Sequence, residues 1–119
     1  MTDFDVKFGI GESVMLQSGI SVSLSEEKSD GAIPLKKEAL CGILRLRSRR
    51  DGDTIRQKGK THKIKRMISD KKLSACEKEK LFFLTSDGAI VFTNIPAISD
   101  TAFTKGGENC VYLTIKESL

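Results

Sequence analysis

The chain has 119 residues, 39% of them hydrophobic and 30% charged, with a formal net charge of +4. That suits a single domain spanning residues 1–119, with enough apolar material to fold and too many charges for a membrane segment, since no apolar run approaches the ~20 residues a spanning helix needs. The start, Met1-Thr-Asp-Phe-Asp, lacks the basic opening and apolar middle of a secretory leader, so a cytoplasmic location is the default expectation.

In chain order, residues 1–10 read as a flexible lead-in. Ser13-Val-Met-Leu-Gln reads as a short strand and Ser18-Gly19 as a turn. Ile20-Ser-Val-Ser-Leu alternates, with Ile20, Val22 and Leu24 on one face, so the two strands form a hairpin. Ser25 to Gly31 is a polar loop, and Pro34 to Leu40 suggests a short helical turn. Ile43-Leu-Arg-Leu-Arg alternates again: Leu44 and Leu46 turn inward while Arg45, Arg47 and Arg49 line the other face. Such a row of like charges costs stability unless an anion or solvent compensates. Asp51-Gly52-Asp53 then marks a turn.

From Thr61, an N-cap candidate, the period lengthens. Ile64, Met67 and Ile68 fall on one helical face, with Lys63, Lys65 and Arg66 projecting elsewhere. Ser74-Ala-Cys-Glu77 matches a capping box and opens a second short helix. Leu81–Thr85, the turn Ser86-Asp87-Gly88 and Ala89-Ile-Val-Phe-Thr form a second hairpin. Pro96 sits in a loop, and Cys110-Val-Tyr-Leu-Thr-Ile is a last strand with Val111, Leu113 and Ile115 on one face. Helices grouped between runs of strands give an α+β fold with two short helices.

Little in the sequence supports catalysis. Cys41, Cys76 and Cys110 have no Cys-x-x-Cys spacing and read as small buried hydrophobes. His62 is the single histidine and lies among lysines, so neither a zinc site nor a charge relay is indicated. Gly59-Lys60-Thr61 mimics the end of a phosphate-binding loop, but Thr54 stands where that motif needs its first glycine. Asp51 and Asp53, close to arginines, read as ion-pairing residues of a turn.

Charge is the informative feature. Residues 44–72 hold twelve of the twenty basic residues against three aspartates, a net +9, while the remainder of the chain carries −5. A solvated face is the common fate of such residues. Segregation this strong, mixing arginine forks with lysine point charges, favours a polyanionic partner instead. No aromatic residue lies between Leu44 and Leu81. The segment therefore lacks stacking platforms for single-stranded bases, which points to contacts with a duplex backbone.

The run Leu46-Arg47-Ser48-Arg49-Arg50-Asp51-Gly52-Asp53, then Gly59, Lys63-Ile64-Lys65-Arg66-Met67-Ile68 and Asp70-Lys71-Lys72-Leu73, resembles the C-terminal domain of tRNA(Ile)-lysidine synthetase. Asp87-Gly88-Ala89-Ile90-Val91-Phe92 resembles a hairpin of the same domain, and the likeness covers most of residues 10–115. Ser74, Lys78, Phe82 and Ile95 depart from the family pattern. The resemblance implies a layered α+β unit with a β-sandwich, similar to a domain of the phenylalanyl-tRNA synthetase β-subunit. It implies a parent ligase that uses ATP and magnesium to attach lysine to the wobble cytidine of an isoleucine tRNA. The Ser-Gly-Gly-x-Asp-Ser loop of that chemistry does not occur here, so this domain carries no catalytic residue or cofactor of its own. The implied partners are a tRNA, held by the backbone of its acceptor stem, and an N-terminal catalytic domain; neither DNA nor a membrane is expected. By the same resemblance Arg47, Arg49, Arg50, Lys63, Lys65 and Arg66 contact phosphates, with Arg45, Lys71 and Lys72 as further contacts, while Gly52 and Asp53 build the turn that aims them. Two other roles stay open: a module that docks on and gates another domain of its own chain, and a free-standing basic RNA-binding protein.

Overall fold

The computed structural model describes residues 3–117. Its strands are β1 (Asp5–Lys7), β2 (Ser13–Met15), β3 (Ile20–Ser25), β4 (Ile33–Lys36), β5 (Leu44–Arg47), β6 (Thr54–Gln57) and β7 (Lys60–Lys63). After the helices α1 (Ile64–Asp70) and α2 (Ala75–Glu79) come β8 (Phe83–Ser86), β9 (Ala89–Thr93), β10 (Ala97–Ile98) and β11 (Cys110–Glu117). They form a five-stranded sheet in the order β1-β5-β8-β9-β10, a four-stranded sheet β2-β3-β11-β4, and the separate hairpin β6-β7. Every pairing is antiparallel.

Alternation builds the sandwich. Ile20, Val22 and Leu24 of β3, Leu35 of β4, and Val111 and Leu113 of β11 meet Leu44 and Leu46 of β5 and Leu84, Val91 and Phe92 of the second hairpin in one core. The opposite face of the five-stranded sheet is buried too. Phe83, Ile90 and Ala97 pack there with Ile55 of β6, Ile64 and Ile68 of α1, Leu81 and Ile95. The central sheet is thus covered on both sides, which explains why Leu81-Phe82-Phe83-Leu84 is continuously apolar rather than alternating. Between Leu84 and Thr85 the register shifts, leaving Val91 as an extra residue, so that consecutive Val91 and Phe92 both enter the sandwich core.

The α+β layering, the two short helices and both expected hairpins are present. The capping box is complete: Glu77 N–H donates to Ser74 Oγ at 3.1 Å and Ser74 N–H to Glu77 Oε1 at 3.1 Å. Several features differ from the sequence reading, among them the β6-β7 hairpin, which it did not contain. The N-terminal lead-in supplies β1, paired with β5 from Asp5↔Arg47 to Lys7↔Arg45. Ile33–Lys36 is an edge strand and only Lys37–Leu40 forms a 3₁₀ turn, because Cys110 to Leu113 pair with that segment. An edge position tolerates Pro34's missing N–H. Thr61 lies inside β7, and α1 begins at Ile64 with Lys63 as N-cap. Finally, Cys41 and Cys76 are exposed, and only Cys110 is the small buried hydrophobe expected.

Candidate nucleic-acid interface

The arginine strand is the starting point. With Leu44 and Leu46 committed to the sandwich core, alternation turns Arg45 and Arg47 to the opposite face of the five-stranded sheet. Arg47 is buried there. Its two terminal nitrogens donate to the Asp53 carboxylate at 3.0 and 2.8 Å, and Nη1 also reaches the Ser48 carbonyl at 2.9 Å. Its guanidinium lies 6.0 Å from the centre of the Phe83 ring. Asp53 in turn accepts the Arg50 N–H at 2.7 Å, and Gly52 between them has φ +84°, a left-handed conformation that favours glycine. Arg47 and Asp53 together lock the turn that displays Arg49 and Arg50. Arg47 is held inside the protein and is not presented on the surface.

Arg45 and Arg50 share a second acid. Arg45 Nε donates to Asp5 at 2.6 Å, and Arg50 pairs with the other oxygen of the same carboxylate. The hydrogen bond from Arg45 chiefly, with Arg50 adding to it, holds the Asp5 carboxyl below the usual aspartate range. The repulsion expected along this strand is therefore neutralised from within, by Asp53 and Asp5.

The other basic residues are not neutralised in this way. Arg49, Lys63, Lys65, Arg66, Lys71 and Lys72 are all exposed. Arg66 has one long pairing, 3.8 Å to Asp70, between exposed side chains, which contributes little. Among the described residues, eight of the twelve cations in 44–72 have no ion-pair partner: Arg49, Arg56, Lys58, Lys60, Lys63, Lys65, Lys71 and Lys72. Lys65 and Arg66 also stand in the first turn of α1, which has no acidic residue, where the helix dipole disfavours cations.

The Gly59-Lys60-Thr61 stretch proves to be a hairpin end. Lys58 and Gly59 both have positive φ, 52° and 73°, forming the two-residue turn between β6 and β7. Their N–H groups converge on the Asp100 carboxylate at 2.7 and 2.9 Å. The N–H donors that a phosphate cradle would need here are thus already engaged by the protein's own acid. The Gly59 and then the Lys58 N–H hold the Asp100 carboxyl below its ordinary range. A carboxyl with a depressed folded-state value stabilises the fold above its unfolded value, and that contribution is lost as pH falls through the folded one. Asp100→Ala is accordingly expected to accelerate amide exchange at Lys58 and Gly59 several-fold while β8 and β9 stay protected. In the parent protein the same two amides should lose protection only below the ordinary aspartate range. Unchanged exchange at Lys58 and Gly59 in the variant would contradict this anchoring.

Tertiary folding also brings residues from outside the basic segment to the arginine turn. Phe4 N–H donates to Ser48 Oγ at 3.0 Å, and Ser48 N–H donates to the Phe4 carbonyl at 2.9 Å. Phe4, the Arg49-Arg50-Asp51 turn, Ile68 of α1 and Lys78, Glu79 and Leu81 from the end of α2 enclose a cleft of about 180 Å³. Sequence reading missed Phe4, because nothing local ties a residue near the N-terminus to a turn 44 positions later. Among the described residues no group of three or more His, Cys, Asp or Glu is placed to hold a metal ion. No helix is long and apolar enough to cross a membrane.

No protein-family model and no curated protein sequence matches the chain. A crystal structure of the TilS C-terminal domain is similar to it over 98% of both chains, with a TM-score of 0.77 at 16% sequence identity. Over 98% of its length, this chain has the fold of the C-terminal domain of TilS, the tRNA(Ile)-lysidine synthetase.

Proposed function

We propose that the chain is the tRNA-binding C-terminal domain of an ATP-dependent tRNA(Ile)-lysidine synthetase, cytoplasmic in location, which holds tRNA by its backbone while a separate domain attaches lysine to the wobble cytidine. The observation that carries this reading is the block of eight cations without ion-pair partners, set on α1, the β6-β7 hairpin and the arginine turn. Unneutralised charge of one sign over several elements suits a phosphate backbone, where each contact releases counterions. The shared fold and the sequence resemblance support a tRNA as that polyanion. In this reading Arg49, Lys63, Lys65, Arg66, Lys71 and Lys72 contact phosphates, Arg45 and Arg50 lie at the edge with Asp5 as internal counterion, and Arg47, Gly52 and Asp53 set the turn. ATP and magnesium belong to the catalytic domain.

A variant with Arg49, Lys63, Lys65 and Arg66 all changed to alanine tests this in a gel-shift titration with unmodified isoleucine tRNA. Each lost phosphate contact lowers the salt slope of log K by about one, so the slope should fall by roughly four. The affinity at low salt should fall for any structured RNA of similar size. An unchanged slope with a folded variant would overturn the assignment of these residues.

A further inference from the structure

We propose that the cleft beside the arginine turn accepts one unpaired nucleotide of the bound RNA, next to the duplex held by the neighbouring cations. This rests on the RNA-binding reading and adds a base-binding site to it. Its apolar lining is Phe4, partly buried, with the buried Ile68 and Leu81. Arg49, Arg50 and Lys78, all exposed, line it as well. Phe4 supplies the aromatic side chain that the basic segment itself lacks, and an arginine plane offers a second surface on which a base can stack. Two carboxylates, Asp51 and Glu79, also line the cleft. Carboxylates repel a bare phosphate, but they accept hydrogen bonds from an exocyclic amine or a ribose hydroxyl. Apolar side chains, cations and acceptors together therefore match a nucleoside with its phosphate better than a phosphate alone. At about 180 Å³ the cleft is smaller than the ~300–1,000 Å³ of drug-sized ligand sites, which limits it to a single base.

The test uses two RNA hairpins with identical stems, one blunt and one carrying a single unpaired 2-aminopurine at its end, titrated into the full chain. The overhang RNA should bind about ten-fold more tightly than the blunt one, as one stacked base allows, and its fluorescence should be quenched on binding. Phe4→Leu, which keeps an apolar side chain, and Lys78→Gln, an exposed change, should each erase most of that preference while leaving blunt-stem affinity unchanged. Equal affinity for the two RNAs, or a preference that survives both variants, overturns the site while RNA binding itself stands. Failure to bind either RNA at low salt overturns the RNA-binding reading and this site with it.

Discussion

Replacing Arg47 with alanine is expected to lower the stability of the domain by about 3–5 kcal/mol, the cost of removing one partner from a buried ion pair. The side chains of Arg47 and Asp53 are only 8% and 9% exposed, so the carboxylate left behind could recover little hydration. Asp53 would keep the Arg50 N–H, but would lose both guanidinium bonds. Arg47→Lys is expected to recover part of the loss, because an ammonium supplies charge without the fork that bonds both oxygens. Set against a total stability of ~5–15 kcal/mol for a domain this size, the alanine change removes a large share. Urea unfolding followed by circular dichroism measures it directly. A loss under about 1 kcal/mol would mean that the pair does not lock the turn. RNA affinity should fall in step with the folded fraction, whereas Arg49→Ala should weaken binding with stability unchanged.

The second large effect is on the salt dependence of RNA binding. If the six contacts assigned to Arg49, Lys63, Lys65, Arg66, Lys71 and Lys72 all engage phosphates, raising monovalent salt from about 50 to 200 mM should weaken binding by roughly a thousand-fold. Unfolding by urea should change far less over the same range, since the buried Arg47–Asp53 pair is poorly screened. A nearly flat salt response would indicate that these charges face solvent or a protein surface.

Several features were legible because they are local. Ile20-Ser-Val-Ser-Leu alternates, Ser74 and Glu77 are three apart with the side chains of a capping box, and Asp87-Gly88 is a two-residue turn with φ of 48° and 86°. The β6-β7 hairpin was not legible. Its turn is Lys58-Gly59, and lysine at positive φ is uncommon enough that the pair does not announce a turn. That conformation is anchored from outside, by Asp100, 41 residues beyond Gly59. β1 was missed for a similar reason: all three of its residues are exposed, so it carries no apolar pattern, and it forms through pairing with β5.

The candidate interface divides along the same line. By itself the sequence determined that twelve cations crowd into residues 44–72, that Leu44 and Leu46 turn one way while Arg45 and Arg47 turn the other, and that Asp51-Gly52-Asp53 makes a turn. Charge density and strand period are properties of neighbouring residues, so they can be read in order along the chain. Only the tertiary structure decided which of those cations are available. Burial against the Phe83 ring, with Asp53 beside it, makes Arg47 a structural bolt, and Asp5 partners Arg45 and Arg50 across some forty residues. It also brought Phe4 and Lys78 to the cleft that Arg49 lines. Whether an arginine faces inward or outward depends on what covers its sheet face, and that covering layer comes from segments whose approach no local pattern encodes.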